Sequence, residues 1–258
     1  MGKWAVVTGA SGGIGLEIAR ELAERGYALV LSARGADKLD ALAEELQRRW
    51  GVSCLAVALD LGAPDGVETL ARRIAEAGVE PAVLVNNAGF GVYGGFAKAD
   101  IAQTQGMIDL NISALTRLTA LLLPAMLRQG QGHILNVAST AAFQPGPGMA
   151  VYFASKAYVL SFSEAMGAEL RGSGIRVTAL CPGATQTGFG ARAQGERSAL
   201  FNSRMATARD VARYGVRAME RGQRVAVPGL FNRVMAASVR FTPRPVVTAL
   251  AGWMMREV

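Results

Sequence analysis

The chain has 258 residues, of which 51% are hydrophobic, and a formal net charge of +7 at neutral pH. This length and composition fit one globular domain with a large core. No run of eighteen or more apolar residues occurs, so the sequence predicts no membrane-spanning helix.

Cysteine and histidine usage indicates the redox setting and the metal content. Cys54 and Cys181 fall in predicted strands and no disulfide framework is indicated, so we expect a cytoplasmic protein. The first strand begins within three residues of Met1, so we expect no signal peptide. His133 is the only histidine, so we expect no metal site.

The positive charge is concentrated near the C-terminus. Residues 203–258 carry ten arginines and three acidic residues, whereas residues 1–202 are balanced. A solvated arginine-bearing helix face is the favoured interpretation, with an anionic partner or a membrane surface as the alternative. The sequence contains no basic patch interleaved with aromatic residues, so we expect no nucleic-acid binding.

Strand and helix patterns alternate along the chain. We predict strands at 4–7, 28–32, 53–58, 82–86, 132–138, 175–181 and 223–227. We predict helices at 14–25, 36–50, 64–77, 104–129, 150–171 and 207–221. This alternation predicts an α/β, doubly wound Rossmann-type fold, in which helices cover both faces of a mostly parallel seven-stranded sheet. We expect a single domain over residues 1–258.

A glycine-rich turn follows the first strand and precedes the first helix. Gly9, Gly13 and Gly15 form a Gly-x-x-x-Gly-x-Gly pattern that also contains Ser11 and Ile14. Glycines allow a tight turn and a close backbone approach, and the helix N-terminus presents unpaired N–H groups. The pattern therefore predicts a site for a dinucleotide pyrophosphate.

The end of the second strand bears on the choice of cofactor. The chain reads Leu31-Ser32-Ala33-Arg34 there and lacks the carboxylate that binds the ribose hydroxyls of NAD. A guanidinium can instead bind a 2′-phosphate through charge-assisted hydrogen bonds. Arg34 therefore favours NADP(H) over NAD(H).

Tyr152 and Lys156 are four residues apart on a predicted helix. This spacing places them on one face, one turn apart. A phenol has a pKa of about 10, and a neighbouring ammonium favours the phenolate. The pair therefore predicts a proton donor for a carbonyl oxygen.

These motifs together resemble the short-chain dehydrogenase/reductase family, and the resemblance covers nearly the whole chain. Further matching positions follow in the family's order: Thr8, Asp60, Leu61, Asn86, Asn87, Ala88, Gly89, Asn111, Ser139, Pro182, Gly183, Thr185 and Thr187.

The resemblance implies an oxidoreductase that transfers a hydride between a nicotinamide and a carbonyl or secondary alcohol. It implies catalytic roles for Asn111, Ser139, Tyr152 and Lys156. The implied cofactor contacts are Gly9, Ser11, Gly13, Ile14, Gly15, Arg34, Asp60, Leu61, Asn87, Ala88, Gly89, Tyr152, Lys156, Pro182, Gly183, Thr185 and Thr187. The alternative is an NADP-binding regulatory or scaffold protein without significant turnover.

Two regions depart from the regular alternation. Residues 184–206 match the family's substrate lid, with candidate pocket residues Phe189, Leu200, Phe201 and Met205. Residues 228–258 form an extension with apolar residues at helical spacing: Val246, Val247, Leu250, Ala251, Met254 and Met255. We expect them to pack on the fold or on a partner subunit, and membrane-surface contact is the alternative.

The residues flanking the predicted pocket carry no fixed charge: Gly91, Tyr93, Phe143, Gln144, Pro145 and Met149. They favour a largely apolar carbonyl substrate. Relatives commonly pair the helices equivalent to those predicted at 104–129 and 150–171 across a two-fold axis. The resemblance therefore also implies a homodimer or homotetramer. Leucines of the first long helix are the predicted apolar contact surface: Leu115, Leu118, Leu121 and Leu122.

Overall fold

The computed structural model describes residues 3–189 and 205–255. Its strands are β1 Trp4–Thr8, β2 Ala28–Ala33, β3 Cys54–Ala58, β4 Pro81–Asn86, β5 Gly132–Val137, β6 Ile175–Leu180, β7 Thr185–Gln186, β8 Ala206–Thr207 and β9 Val225–Ala226. Seven of them form a parallel sheet in the order β3-β2-β1-β4-β5-β6-β9. The strand order reverses between β1 and β4, which opens a crevice at their carboxyl ends.

The helices are α1 Gly13–Glu24, α2 Ala36–Trp50, α3 Gly66–Glu76, α4 Ile101–Ile108, α5 Leu115–Gln129, α6 Ala150–Glu169, α7 Ala208–Glu220, α8 Leu230–Ser238 and α9 Arg244–Met254. Leu22, Leu39 and Val216 belong to the core on one face of the sheet. Leu70 and Met126 belong to the core on the other face. Helices therefore cover both faces, which confirms the predicted fold class.

The edge of the sheet differs from the sequence prediction. The predicted strand at 223–227 is reduced to Val225–Ala226, because only these two residues pair with β6. β7 and β8 form a separate two-stranded parallel pair. Strands this short leave no periodic signal in the sequence.

The predicted helix at 104–129 begins earlier, at Ile101, and is interrupted by a π-helical segment from Asp109 to Ala114. Its leucines also differ from the predicted contact surface. Leu115, Leu118 and Leu122 are buried inside the chain, whereas Leu121 is 46% exposed. Three of the four leucines therefore belong to the core and are not available to a partner.

The whole helical segment Ile101–Gln129, with its π-helical part included, has the length and apolar composition to cross a membrane by those two criteria alone. The prediction from uninterrupted apolar runs did not identify it. Leu118 and Met126 of this helix pack in the core beside the sheet.

The C-terminal extension folds into α8 and α9, which are joined by a 3₁₀ turn at Val239–Phe241. Val247, Ala251 and Met255 are buried against the fold. Val246 and Leu250 are about half exposed, at 48% and 55%. The predicted apolar stripe is therefore divided between a buried and an exposed face of α9.

Candidate active site

A cavity of about 1200 Å³ runs along the carboxyl ends of the central strands. Its lining includes Gly9 after β1, Arg34 after β2, Asn87 after β4, Ser139 after β5 and Pro182 after β6. This is the crevice in which doubly wound folds bind ligands.

The glycine turn lies at one end of this cavity. Gly9 and Gly13 have φ values of +67° and +57°, which favour glycine. A Cβ at Gly9 would lie 2.7 Å from Asn87 Nδ2, so the turn also requires glycine for space. α1 begins at Gly13, and both Gly13 and Ile14 line the cavity, so the unpaired N–H groups of its first turn are available to a pyrophosphate there.

Gly15, a predicted cofactor contact, is not among the residues that line the cavity. A Cβ at this position would overlap Asn87 Nδ2 and Gly9 O. Gly15 therefore allows α1 to pack closely against the turn.

Thr8 fixes the chain opposite the glycine turn. Its Oγ1 donates a hydrogen bond to Val85 O at 3.2 Å and accepts from the N–H groups of Asn87 and Ala88, both at 3.0 Å. The Asn87 side chain donates to Thr8 O at 2.9 Å. These bonds connect the ends of β1 and β4, so Thr8 positions the predicted cofactor contacts.

Basic side chains lie on the rim beyond β2. The Arg34 side chain is 71% exposed, and its Nη1 lies 4.0 Å from Asp60 Oδ2. Lys38 also lines the rim, from the first turn of α2, and was not predicted. Its position four residues after Arg34 is the only sequence signal. Two cations beside a helix N-terminus fit an anionic phosphate group.

Ser139, Tyr152 and Lys156 meet at the other end of the cavity. Ser139 Oγ accepts from Ala141 N–H at 3.1 Å and donates to Pro182 O at 3.4 Å. Burial raises the pKa of Tyr152 to about 12, although the hydrogen bond with Ser139 acts in the lowering direction. The phenol therefore carries its proton at neutral pH.

Lys156 is buried and donates from Nζ to Val137 O at 2.9 Å. Burial lowers its pKa to about 8, because desolvation disfavours the ammonium. Its Nζ is 5.8 Å from the centre of the Tyr152 ring. The expected lowering of the Tyr152 pKa by Lys156 is therefore not found here, because burial raises that pKa and the lowering influence comes from Ser139.

Asn111 does not line the cavity and instead fixes the elements around it. Its Nδ2 donates to Phe90 O at 2.9 Å and to Ser155 Oγ at 3.0 Å, and its Oδ1 accepts from Phe90 N–H at 3.0 Å. Ser155 Oγ donates in turn to Tyr152 O at 2.7 Å. A Cβ added at Gly89 would lie 2.8 Å from Asn111 Oδ1 and 3.5 Å from Lys156 Nζ, so these groups are close neighbours.

Apolar side chains line the cavity beyond Tyr152. Met149, Phe153, Phe189, Met254 and Met255 contribute to this wall. The Phe189 ring centre lies 5.3 Å from that of Tyr152. This end can therefore accept an apolar group next to the phenol.

The predicted pocket residues divide into several groups. Gln144, Met149 and Phe189 line the cavity. The other described positions do not: Gly91, Tyr93, Phe143, Pro145 and Met205. Leu200 and Phe201 lie outside the described residues, as does most of the predicted lid.

Two of the positions that do not line the cavity support its wall. Gly91 lies directly behind it, because an added Cβ would be 2.9 Å from both Met149 Cε and Phe189 Cζ. Tyr93 donates a hydrogen bond to Met255 O and so holds the end of α9.

The remaining predicted cofactor contacts all line the cavity: Ser11, Ile14, Leu61, Ala88, Gly89, Gly183, Thr185 and Thr187. α9 adds Ala251 and Met254, and its C-cap residue adds Met255; the sequence placed all three on a helix but not in the site. Over residues 3–189 and 205–255, no cluster of three or more His, Cys, Asp or Glu side chains could hold a metal ion.

Comparison with known proteins agrees with this geometry. The model for short chain dehydrogenases matches residues 3–197. A very-long-chain 3-oxoacyl-CoA reductase from Anas platyrhynchos is 38% identical over 186 residues, which cover 70% of this chain and 59% of the relative. A sulfoacetaldehyde reductase from Chromohalobacter salexigens is 38% identical over 213 residues, which cover 80% of this chain and 83% of the relative.

The fold also matches solved structures. A short-chain dehydrogenase from Sphingobium yanoikuyae in complex with NADPH superimposes with a TM-score of 0.83 at 34% identity, covering 93% of this chain and 94% of that one. The match to the family model extends over more than half of the chain. The chain therefore belongs to the short-chain dehydrogenase family.

Proposed function

We propose that the chain is an NADP(H)-dependent oxidoreductase that reduces the carbonyl group of a largely apolar ketone or aldehyde. One observation carries the proposal: a single cavity joins the glycine turn at Gly9 to Ser139, Tyr152 and Lys156. A dinucleotide placed along it would extend from α1 to the phenol.

The preference for NADP(H) rests on the rim beyond β2. Arg34 and Lys38 can both reach an added phosphate there, and Arg34 follows a strand end without a carboxylate. Asp60 partly offsets their charge. The NADPH in the Sphingobium yanoikuyae complex supports the same preference.

A bound nicotinamide would supply the hydride. Tyr152 can give its phenolic proton to the carbonyl oxygen, because its raised pKa keeps the proton in place at neutral pH. The Ser139 hydroxyl can donate to the same oxygen and stabilise its developing charge. Lys156 can return a proton to the phenolate, because its pKa of about 8 lies well below that of Tyr152.

The apolar wall beyond Tyr152 supports an apolar substrate. Its side chains carry no charge: Met149, Phe153, Phe189, Met254 and Met255. The neighbouring Gln144 is polar but also uncharged. Of the two named relatives, the very-long-chain acyl reductase has the more apolar substrate and sulfoacetaldehyde carries a sulfonate. Because the chain covers only 59% of the acyl reductase, that substrate is not transferred as such.

We also propose that the chain forms a homodimer or homotetramer. Leu121 and Leu127 of α5 remain 46% and 40% exposed and could contribute to a two-fold contact. Light scattering at micromolar concentration tests this proposal, because a mass of 27.0 kDa would identify a monomer.

The catalytic proposal is tested by following NADPH oxidation with a panel of ketones and aldehydes that differ in apolar bulk. We expect turnover that is faster with NADPH than with NADH and favours apolar ketones. NADPH binding without turnover of any carbonyl compound would instead support the regulatory or scaffold alternative.

A further inference from the structure

The C-terminal segment, residues 228–255, exposes an unusual amount of apolar surface. Eight of the twelve large apolar side chains exposed on the described residues lie in it: Leu230, Phe231, Val234, Met235, Phe241, Val246, Leu250 and Trp253. On α8 they occur at helical positions one, two, five and six, and on α9 at positions separated by four and three residues. Each helix therefore has one apolar face in solvent, which usually marks an interaction site.

The charge on this segment has one sign. Arg240 and Arg244 are exposed, and residues 228–255 contain no Asp or Glu. Neither arginine forms an ion pair with another described residue. Arg233 is held to the fold, since it donates to Val227 O and Tyr214 OH, both at 3.0 Å. Exposed aromatic and aliphatic side chains beside arginines are typical of helices that lie in an anionic membrane interface.

The opposite faces of both helices are fixed next to the catalytic cavity. Ala251 of α9 and its C-cap residue Met255 are buried and line that cavity. Asn232 of α8 packs against Gly183, where an added Cβ would lie 2.8 Å from its Nδ2. The exposed apolar surface is therefore held at the rim of the active site by side chains that face inward.

We propose that residues 228–255 dock on an anionic lipid membrane surface. The exposed apolar side chains enter the boundary between headgroups and acyl chains, and Arg240 and Arg244 pair with lipid phosphates. A second copy of the chain is the competing occupant. A two-fold contact through this surface would bring arginines of both copies together, and the segment offers no acidic residue to offset them.

The test is co-sedimentation of the full chain with vesicles of phosphatidylcholine, alone or mixed with phosphatidylglycerol. We expect stronger binding to the mixed vesicles and weaker binding as salt is added. Replacing Phe241 and Leu250 together by Glu should weaken binding by at least about tenfold. The matched control replaces Phe96 and Ile101 by Glu. These two side chains are 65% and 77% exposed elsewhere on the chain, so this variant should bind vesicles like the parent.

A second pair of variants tests the charge. Replacing Arg240 and Arg244 by Glu should abolish the preference for phosphatidylglycerol, whereas Arg48→Glu with Arg128→Glu, on α2 and α5, should retain it. Circular dichroism and NADPH binding confirm that each variant is folded.

Failure of the parent to bind mixed vesicles would overturn the proposal, as would equal loss in the controls. The surface would instead belong to a second copy if the parent is a dimer that does not bind vesicles, and if only the variant at Phe241 and Leu250 is a monomer. Because vesicle binding requires no turnover, its outcome is independent of the catalytic proposal.

Discussion

Lys156 stands 5.8 Å from the centre of the Tyr152 ring, with its ammonium directed to Val137 O and not to the phenol oxygen. Both groups are desolvated, which raises one pKa to about 12 and lowers the other to about 8. Desolvation favours the neutral form of each group, so the two pKa values move away from each other.

The first prediction concerns proton donation by Tyr152. Tyr152→Phe should lower kcat by about 10²- to 10⁴-fold, the usual contribution of a general acid, and leave NADPH binding unchanged. Tyr158→Phe is the matched control, because Tyr158 lies on the same helix and hydrogen-bonds Thr116 at 2.8 Å. Steady-state kinetics with a good ketone measures both, and parental kcat in Tyr152→Phe would refute the assignment.

The second prediction concerns Arg34. Arg34→Ala should weaken NADPH binding by about tenfold through loss of a charge-assisted hydrogen bond and leave NADH binding almost unchanged. Fluorescence titration with both cofactors measures the difference. Arg48→Ala controls for the general loss of positive charge. Equal losses for the two cofactors would show that Arg34 does not read the added phosphate.

The third prediction follows from the lowered pKa of Lys156. The folded value is about 8 and the ordinary value is 10.5, so the unfolded chain binds more protons between them. This residue therefore makes the free energy of unfolding rise with pH across that interval, by up to about 1.4 kcal/mol per pH unit.

Urea unfolding of the parent and of Lys156→Met, from about pH 7 to pH 10, isolates this contribution. The free energy of the parent should rise relative to that of the variant above the folded pKa. Lys98→Met, at an exposed position, should show no such trend. A constant difference between parent and Lys156→Met would mean that Lys156 is not desolvated.

The fourth prediction concerns the space behind the apolar wall. Gly91→Ala would place a Cβ 2.9 Å from Met149 Cε and 3.0 Å from Tyr152 Cδ2, so these side chains must move into the cavity. We expect the KM for bulky ketones to rise by about tenfold or more, with little change for small ones. Gly95→Ala is the control, because its Cβ would meet nothing within 4 Å. Equal effects on large and small ketones would contradict this role.

Local patterns were enough to predict the sheet, the glycine turn and the Tyr152–Lys156 pair. They were not enough for α5, which carries leucines on several sides, so its sequence could not show that Leu118 and Leu122 face the sheet. The contribution of Met255 to the cavity wall depends on the hydrogen bond that its carbonyl oxygen accepts from Tyr93, 162 residues earlier in the chain. The sequence predicted its helix but could not predict where that helix docks.

The π-helical segment at Asp109–Ala114 has a consequence for the phase of the long helix. A π-turn holds one residue more than an α-turn, so the faces of α4 and α5 are rotated relative to those of one uninterrupted α-helix. Removing one residue from this segment would restore a uniform α-helix. It would also force a choice between keeping Leu118 in the core and keeping Asn111 on Phe90. Because of the extra residue, one long helix can pack Leu118 in the core and also hold Asn111 against Phe90 beside the active site.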